Sequence, residues 1–136
     1  MAIVSGKGTK LQLEIASVFT DIAQITGLTP PSMEMGTVET THLLSAWREY
    51  VSTIPDAGEI SFSIEYDPAH VSHAALWTAF QGGAVESWKI LLTDTGAASI
   101  EFGGILTGYS WDEVTIDGIV TASISVKLSG PVVITV

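Results

Sequence analysis

Apolar and polar residues alternate with a period of two through most of the chain, and this pattern predicts a mainly β protein. In the segment GEISFSIEY, residues 58–66, apolar side chains occupy the even positions from Ile60 onwards and polar side chains the odd ones. Two further segments repeat the pattern, with the apolar sets Leu11, Leu13 and Ile15, and Trp88, Ile90 and Leu92. Each segment therefore predicts a strand with one buried face and one solvated face.

The alternation changes phase within residues 97–111. The apolar residues are even-numbered before the change and odd-numbered after it: Ile100 and Phe102, then Ile105, Tyr109 and Trp111. Gly103 and Gly104 separate the two sets, and glycine is well tolerated in a β-bulge. We therefore predict a bulge at this glycine pair, which would keep both sets on the buried face.

The longest alternation runs from Glu113 to Leu128. Its apolar set is Val114, Ile116, Val120, Ala122, Ile124, Val126 and Leu128. A single strand of this length would span about 53 Å at ~3.3 Å per residue, which is unusually long. A two-residue hairpin at Asp117-Gly118 would set Val114 opposite Thr121 and mix the two faces. We therefore predict a bend or an irregular break near Gly118.

One segment has helical spacing, at about residues 68–81. Asp67 is a suitable N-cap, and Pro68 is suited to the first helical position. The apolar face that follows comprises Val71, Ala75, Leu76, Ala79 and Phe80. The sequence Gln81-Gly82-Gly83 predicts the end of the helix.

A long connection at about residues 29–57 lacks a clear period. Within it, residues 32–41 are a candidate strand, and residues 42–52 have apolar residues at helical spacing without good caps. A connection of this length in a compact domain is usually functional or mobile. Docking on a partner and packing back onto the chain's own core both remain open. The candidate contact residues are Leu43, Leu44, Trp47, Arg48, Tyr50 and Val51.

Composition narrows the class of protein. A chain of 136 residues without cysteine is expected to form one domain with no disulfide framework and no thiolate metal site. Its formal net charge of −10 disfavours binding to nucleic acid or to an anionic membrane. A hydrophobic content of 46% excludes disorder, and the scarcity of charge indicates that partners cover part of the surface. Since the sequence has neither a signal-peptide pattern nor a membrane span of ~20 apolar residues, the chain is expected to be soluble.

The stretch EYDPAHVSH, residues 65–73, places two of the chain's three histidines beside two acids, as a metal site would. Glu65 falls on the solvated face of a strand and Asp67 is needed as a helix cap, so the histidines lack a firm third ligand. The patterns His-Glu-x-x-His, Gly-x-Ser-x-Gly and GxxxxGK[ST] are absent. The sequence therefore predicts no metal site, no cofactor and no enzyme, and it predicts that His70 and His73 are partly exposed.

Four tryptophans leave one binding alternative open. Trp88 and Trp111 are in phase with the predicted buried faces, whereas Trp47 and Trp77 are candidates for exposure. Exposed aromatic rings are typical of a binding platform. A monomeric ligand-binding β-sandwich module is therefore an alternative function.

The order of these segments resembles the major tail tube protein of long-tailed (siphovirus-type) bacteriophages. GEISFSIEYDP leads into the helical LWTAFQGG, followed by SWKILLTD, the glycine-interrupted IEFGGILTGYSW and the terminal IVTASISVKLSGPVVITV. GKGTKLQLEIA and ITGLTPPSMEMGTVETT fit the first strands of the family. The resemblance implies a tail-tube-type β-sandwich or partial barrel with one flanking helix. Because some relatives carry a C-terminal immunoglobulin-like domain and this chain stops at Val136, residues 1–136 are expected to be the tail tube domain alone.

The resemblance also implies a structural, self-assembling protein. Subunits of the family form hexameric rings that stack into a hollow tube, and the genome passes through it without specific binding of DNA. The long loop is then expected to contact adjacent subunits and rings. The further partners implied are tape measure, tail-tip and tail terminator proteins, and the implied location is the host cytoplasm before assembly and the virion tail afterwards. A tube subunit of a contractile or secretion-type system is the alternative within the fold.

An acidic lumen would repel the phosphates of passing DNA. Acids on the solvated faces of the predicted strands are the candidates to line it, with ordinary outer-surface charge as the alternative for each. These candidates are Asp21, Glu34, Glu39, Glu101, Glu113 and Asp117.

Overall fold

A computed structural model of the chain describes residues 6–93 and 98–135. Within these ranges the chain forms nine strands and one helix, which confirms the mainly β class. In chain order the elements are β1 (Lys10–Ile15), β2 (Val18–Asp21), β3 (Ile25–Thr29), β4 (Glu34–Glu39), β5 (Tyr50–Asp56), β6 (Glu59–Glu65), α1 (Val71–Gly82), β7 (Glu86–Leu91), β8 (Ser99–Trp111) and β9 (Thr121–Thr135).

Seven strands form one antiparallel sheet that curls into a half-barrel, so the predicted partial barrel is confirmed. The strand order is β2-β1-β7-β8-β9-β6-β3, which leaves β2 and β3 as the outer strands. The two remaining strands, β4 and β5, pair only with each other among the described strands.

The hydrophobic core lies inside the curl of this sheet. Most residues that the period-two pattern assigned to the buried faces of β1, β6 and β7 are buried: Leu11, Leu13, Ile60, Phe62, Ile64, Trp88 and Ile90. Ile15, Tyr66 and Leu92, at the ends of these segments, are partly buried. Ala122, Ile124, Val126 and Leu128 of β9 are buried with them. These strands lie inside the sheet, where one face is shielded from water, so the alternation of apolar and polar residues correctly predicts which side chains are buried.

The glycine pair in β8 does not change the phase of that strand. Phe102, Gly104 and Leu106 are all buried, so the assignment of Ile105 to the buried face was wrong. A register irregularity does occur at the predicted place, but the extra residues belong to β9, because Phe102 pairs with Val132 and Gly104 pairs with Leu128. The phase of β8 changes only at its second irregularity, between Leu106 and Gly108.

Residues 112–120 form no strand, and β9 begins only at Thr121. The predicted break near Gly118 is confirmed as a turn, in which the Gly118 N–H donates to the Thr115 carbonyl oxygen at 3.3 Å. The assignment of Val114 and Ile116 to a buried face was wrong, since both side chains are exposed. They lie in a loop beyond the end of the sheet, where no core packs against them and alternation does not predict burial.

Helix α1 begins three residues later than predicted. His70 is its N-cap, because the His70 Nδ1 accepts from the Ser72 N–H at 3.2 Å. The Asp67 carboxylate instead accepts from the Ala69 N–H at 3.0 Å, in a turn before the helix. The helix ends at Gly82, and Gly83 follows as its C-cap in a left-handed conformation with φ of +65°, which confirms the predicted stop.

The buried face of α1 is also more polar than predicted. It consists of Ser72, His73, Leu76 and Ala79, whereas Val71 is exposed. The two polar residues bind backbone groups in the turn between β2 and β3, as described below. Among the described helical residues, no helix is long and apolar enough to cross a membrane.

Candidate assembly surfaces

The connection predicted as a long loop is a β-hairpin. We call residues 34–56 the arm: β4, β5 and the connecting residues 40–49, which we call the tip. The predicted strand within residues 32–41 is confirmed as β4. The helical spacing of residues 42–52 was misleading, because the tip consists of turns and bends and Tyr50–Ser52 belong to β5.

The arm carries large apolar side chains that its own chain does not cover. Leu43, Leu44 and Trp47 at the tip are 103%, 92% and 86% exposed. Further apolar side chains along the strands are at least half exposed: Met35, Val38, Tyr50, Val51 and Ile54. An isolated two-stranded hairpin is at best marginally stable in water, and a contiguous exposed apolar patch marks an interaction site. The arm is therefore the main candidate surface for a partner.

Polar side chains close the tip from inside. The Ser45 N–H donates to the His42 carbonyl oxygen at 2.9 Å. The Ser45 hydroxyl accepts from the His42 N–H at 3.1 Å and donates to Glu49 Oε2 at 2.9 Å. The Glu49 N–H in turn donates to Thr41 Oγ1 at 2.8 Å. Because the polar groups use the interior of the turn, Leu43, Leu44 and Trp47 point into solvent.

A glycine fixes the base of the arm where it joins β6. Gly58 has φ of +77°, and a Cβ atom there would lie 2.6 Å from the Ser32 carbonyl oxygen. The Gly58 N–H donates to Asp56 Oδ1 at 2.9 Å, and its carbonyl oxygen accepts from the Leu128 N–H at 3.0 Å. The arm therefore leaves the half-barrel at a defined point.

All six predicted contact residues lie on the arm and are exposed. Leu43, Leu44, Trp47 and Arg48 are in the tip, and Tyr50 and Val51 begin β5. The Arg48 side chain is 77% exposed and reaches Glu39, with Nη1 3.9 Å from Oε1. The sequence did not distinguish Met35, Val38 and Ile54, because no periodicity separates them from core residues.

A second exposed apolar surface lies at the other end of the curled sheet. The arm joins the sheet near the pair Glu59 and Lys127, whereas Glu65 and Thr121 close the same strand pair at its opposite end. We call this second surface the end patch. It comprises Trp77 and Phe80 of α1, Trp111 of β8, and Val114, Ile116 and Ile119 of the following loop, and all six side chains are exposed.

The rings of the end patch pack around Tyr109. The Trp77, Phe80 and Trp111 ring centroids lie 5.5, 6.2 and 4.9 Å from that of Tyr109. Trp77 is exposed as predicted, but the assignment of Trp111 to the core was wrong. After the phase change at Thr107, the aromatic side chains at the end of β8 pack against those of α1. Of the two β8 rings, Tyr109 is partly buried and Trp111 is exposed.

The Tyr109 hydroxyl is buried without a hydrogen-bond partner among the described residues. Tyr66 is close to it but does not meet hydrogen-bond geometry. Burial, together with the nearby Tyr66, raises the pKa of Tyr109 to about 12. Loss of a buried hydroxyl's hydrogen bond costs stability, so this group weakens the free subunit.

The six lumen candidates lie in three separate parts of the structure. Asp21 and Glu101 lie on the polar face of the sheet, where Asp21 is 3.4 Å from Lys10 and Glu101 is 3.4 Å from Lys89. Glu34 and Glu39 belong to β4 of the arm. Glu113 and Asp117 lie in the loop of the end patch, without an ion pair in the described part of the chain. The structure therefore does not bring the six together.

The two histidines of EYDPAHVSH have different roles. His70 caps the helix, but His73 is only 1% exposed, so its predicted partial exposure was wrong. Its Nε2 lies 2.7 Å from the Ala23 carbonyl oxygen, and its Nδ1 accepts from the Asp67 N–H at 3.0 Å. The Ser72 hydroxyl accepts from the Ala23 N–H at 3.2 Å. Both backbone groups of Ala23 are thus bound by α1, which fixes the turn between β2 and β3.

The described residues offer no cluster of metal-ligating side chains. No group of three or more histidine, aspartate or glutamate side chains within residues 6–93 and 98–135 is placed to hold a metal ion. Asp67, His70 and His73 of the motif EYDPAHVSH instead bind backbone groups. The surfaces that need an explanation are the arm and the end patch.

Proteins with similar folds are found in tail-bearing particles. Among solved structures, the fold is similar to a chain in the virion of a native gene transfer agent particle, with 20% identity, a TM-score of 0.79, and 97% of this chain and 98% of that chain covered. A chain in the tail of an empty gene transfer agent particle with C6 symmetry gives 19% identity, a TM-score of 0.80 and the same coverage. The SPP1 tail tube gives 11% identity and a TM-score of 0.74, covering 97% of this chain and 78% of that chain. These identities establish the fold alone.

The sequence itself assigns the family. Comparison with curated proteins finds no match. The family model described as the lambda phage tail tube protein matches residues 2–135. Because the match spans nearly the whole sequence, the chain belongs to the lambda phage tail tube protein family.

Proposed function

We propose that the chain is the structural subunit of a phage-type tail tube, and that it self-assembles into hexameric rings that stack into a hollow tube for genome passage. Membership of the tail tube family and the tail-tube fold support this function. The C6 symmetry of a similar tail supports the hexamer. The observation that carries the proposal is the arm, whose tip exposes Leu43, Leu44 and Trp47 almost completely.

The energetics of the arm favour assembly. Covering one large apolar side chain contributes about 1.5–3 kcal/mol. The tip has three such side chains, and all three are exposed to solvent in the isolated subunit. In a ring or a stack of rings the same contact is repeated once per subunit, so a modest gain at one arm becomes large for the assembly.

The alternatives receive less support. Chains from contractile injection systems share the fold, such as a sheath/tube terminator with 9% identity and a TM-score of 0.77, so the fold alone does not separate the two kinds of tube. The family model favours the phage-type tube. A monomeric ligand-binding module would not need an exposed apolar arm, and no catalytic role is proposed, in keeping with a structural family.

We further propose that acids line the lumen. Reversal to lysine of the six candidates, Asp21, Glu34, Glu39, Glu101, Glu113 and Asp117, should slow genome ejection while tubes still form. Glu34, Glu113 and Asp117 are expected to matter most, because lysine or arginine already offsets Asp21, Glu101 and Glu39. Unchanged ejection with intact tubes would remove the lumen assignment.

The remaining partners are proposals by analogy of fold. A chain in the structure of the tube-terminating cap of an anti-feeding prophage has a similar fold, with 13% identity and a TM-score of 0.77. This likeness supports capping of the tube by a terminator protein built on the same fold. Tape measure and tail-tip proteins are proposed as the partners that set tube length and start polymerisation.

Electron microscopy of the concentrated protein, with and without tail-tip complexes, tests the proposed function. Hollow tubes or hexameric rings are expected. The substitutions Leu43→Ser, Leu44→Ser and Trp47→Ser together should abolish tubes without lowering the melting temperature, since these side chains make little contact in the subunit. Val18→Ser, on the outer strand β2, is the control, because Val18 is also exposed but lies off the arm. A wild-type chain that stays monomeric even with tail-tip complexes would refute the function.

A further inference from the structure

We propose that a cavity at the seam of the half-barrel binds an amphiphilic anion, a molecule with one small anionic head group and an unbranched apolar tail. The cavity has a volume of about 510 Å³ and lies between the turn that precedes β1 and the outer strand β3. None of its described lining residues belongs to the arm or to the end patch. The proposal therefore adds a ligand to a subunit whose proposed function is assembly.

The cavity exists because the curled sheet does not close. Among the described strands, β3 pairs only with β6, and β1 pairs only with β2 and β7. The two margins of the sheet therefore face each other at β1 and β3 without a hydrogen-bonded ladder between them. Ligand sites typically have volumes of roughly 300–1,000 Å³, and the mouth of a β-barrel is a common place for them.

The inner wall of the cavity is apolar. Leu11 is fully buried, and Ile25, Leu28 and Leu92 are partly buried beside it. Gly27 of β3 also lines the cavity, and no atom lies within 4 Å of its Cβ position, so the wall is open there. An unbranched alkyl chain gains free energy with each methylene that such a wall removes from water.

The mouth of the cavity is formed by the turn Gly6-Lys7-Gly8-Thr9. The Thr9 N–H donates to the Gly6 carbonyl oxygen at 3.3 Å, and Gly8 has φ of +88°, as the third position of a type II turn requires. A Cβ atom at Gly8 would lie 3.0 Å from Thr93 Cγ2, so the turn packs against the chain that follows β7. The turn therefore places the exposed Lys7 at the mouth.

Charge selects the head group of the ligand. Lys7 is the only charged residue among the described residues that line the cavity, although the chain has 15 acidic and 5 basic residues. A lysine at the mouth, beside the hydroxyl groups of Thr9 and Thr26, suits a carboxylate. The chain as a whole has a net charge of −10 and repels anions. Binding of an anion would therefore report this local site and not the overall charge.

Isothermal titration calorimetry with decanoate, below its micelle concentration and at a protein concentration at which microscopy shows no tubes, tests the proposal. Decanoate is expected to bind. Octanoate should bind roughly fifteenfold more weakly, because two fewer methylenes are buried, and acetate should not bind measurably. Decyltrimethylammonium has an equally long tail and a cationic head, and it should bind at least about tenfold more weakly than decanoate because Lys7 repels it.

Two variants locate the site. Lys7→Gln should weaken decanoate binding about tenfold, whereas Lys10→Gln removes the same charge from a lysine outside the cavity and should leave binding unchanged. Gly27→Leu should fill the cavity and abolish binding. Gly82→Leu is its matched control, because no atom lies within 4 Å of that Cβ position either. The melting temperature of each glycine variant shows whether it is folded, and Lys7→Gln, on an exposed turn, tests the site independently of them.

Several results would overturn the inference. Failure of decanoate to bind would remove the ligand, and equal binding of decyltrimethylammonium would remove the role of charge. Equal effects of Lys7→Gln and Lys10→Gln, or full binding by a folded Gly27→Leu chain, would place the ligand elsewhere. Loss of binding in the arm-substituted chain, which carries the three serine substitutions at the tip, would place it on the arm. These results leave the proposed function untouched, because microscopy tests tube assembly separately.

Discussion

Replacing Gly104 with alanine is expected to destabilise the subunit, because the backbone at this position lies directly against the core. A Cβ atom there would lie 2.5 Å from Val126 Cγ1 and 3.5 Å from Trp88 Cδ1. Val126 and Trp88 are fully buried, and a β-branched side chain such as valine has little rotamer freedom with which to move aside. The Gly104 carbonyl oxygen also accepts from Trp88 Nε1 at 3.3 Å, so a shift of the backbone would strain that hydrogen bond.

The size of the effect follows from two opposing terms. An extra methyl group in a packed core costs about 1–3 kcal/mol. Replacing glycine by alanine restricts the unfolded chain and returns about 0.4–1 kcal/mol. At the middle of these two ranges, the net loss in the free energy of unfolding is about 1–2 kcal/mol. For a domain of this size, that loss should lower the melting temperature by roughly 3–10 °C.

Urea denaturation followed by tryptophan fluorescence measures this loss, with the arm-substituted chain as background so that assembly does not interfere. Gly82→Ala is the matched control, because no atom lies within 4 Å of its Cβ position, at the end of α1. That variant should be as stable as the parent or up to about 1 kcal/mol more stable. Gly104→Ala with unchanged stability would show that the close approach is not rigid.

A double-mutant cycle isolates the contact itself. Val126→Ala removes the methyl group that the new Cβ would meet, and alone it should cost about 1.5–3 kcal/mol as a lost buried side chain. In the Gly104→Ala background the same substitution should cost less by about 0.5–3 kcal/mol, the usual range for residues in contact. Additivity within experimental error would refute the packing argument even if Gly104→Ala proved destabilising.

Three further outcomes follow from the same structure. His73→Leu removes the partners of the Ala23 carbonyl oxygen and the Asp67 N–H, and should lower the free energy of unfolding in urea by about 2–5 kcal/mol. His70→Ala removes only a helix cap and should cost about 0.5–2 kcal/mol. Equal costs would contradict the role of His73. Tyr109→Phe should match or exceed the parent in stability at neutral pH, since it removes a buried hydroxyl without a partner in the described residues. Because folding raises the pKa of Tyr109 from 10.0 to about 12, the free energy of unfolding of the parent should not depend on this group below pH 10 and should fall as the pH rises toward 12. Tyr109→Phe should lack this part of the alkaline loss, and identical alkaline profiles would contradict the assignment.

Prediction from sequence succeeded where strands lie inside the sheet. The strands of Phe62 and Trp88 each pair with a strand on both sides, and have one face toward the core and one toward water. The alternation of apolar and polar residues in these strands could therefore be interpreted directly. It failed at the ends of the same strands. Ile116 continues the alternation numerically but lies in a loop beyond the sheet, and Trp111, the last residue of β8, is exposed although it still pairs with Ala122. No local pattern in the sequence marks where a core stops.

The polar details were harder to predict for a different reason. His73 is buried because the turn between β2 and β3 presents both backbone groups of Ala23 to α1, about fifty positions away in sequence. No spacing within EYDPAHVSH contains that information. The arm shows the same limit, because Leu43, Leu44 and Trp47 fit a helical spacing, while the turn is decided by the hydrogen bonds of Ser45 with His42 and Glu49.

The arm and the core together explain how one chain can be both a stable subunit and a building block. The half-barrel encloses a core of its own, so the subunit is expected to fold without a partner, whereas β4 and β5 form a two-stranded sheet that is marginal alone. Any partner that binds the ordered arm stabilises it by mass action, so ordering of the arm and growth of the tube are coupled. A net charge of −10 makes separate subunits repel each other, and burial of the apolar tip against a partner would offset that repulsion. Polymerisation should therefore be promoted by salt, which screens the repulsion but leaves the apolar contact intact.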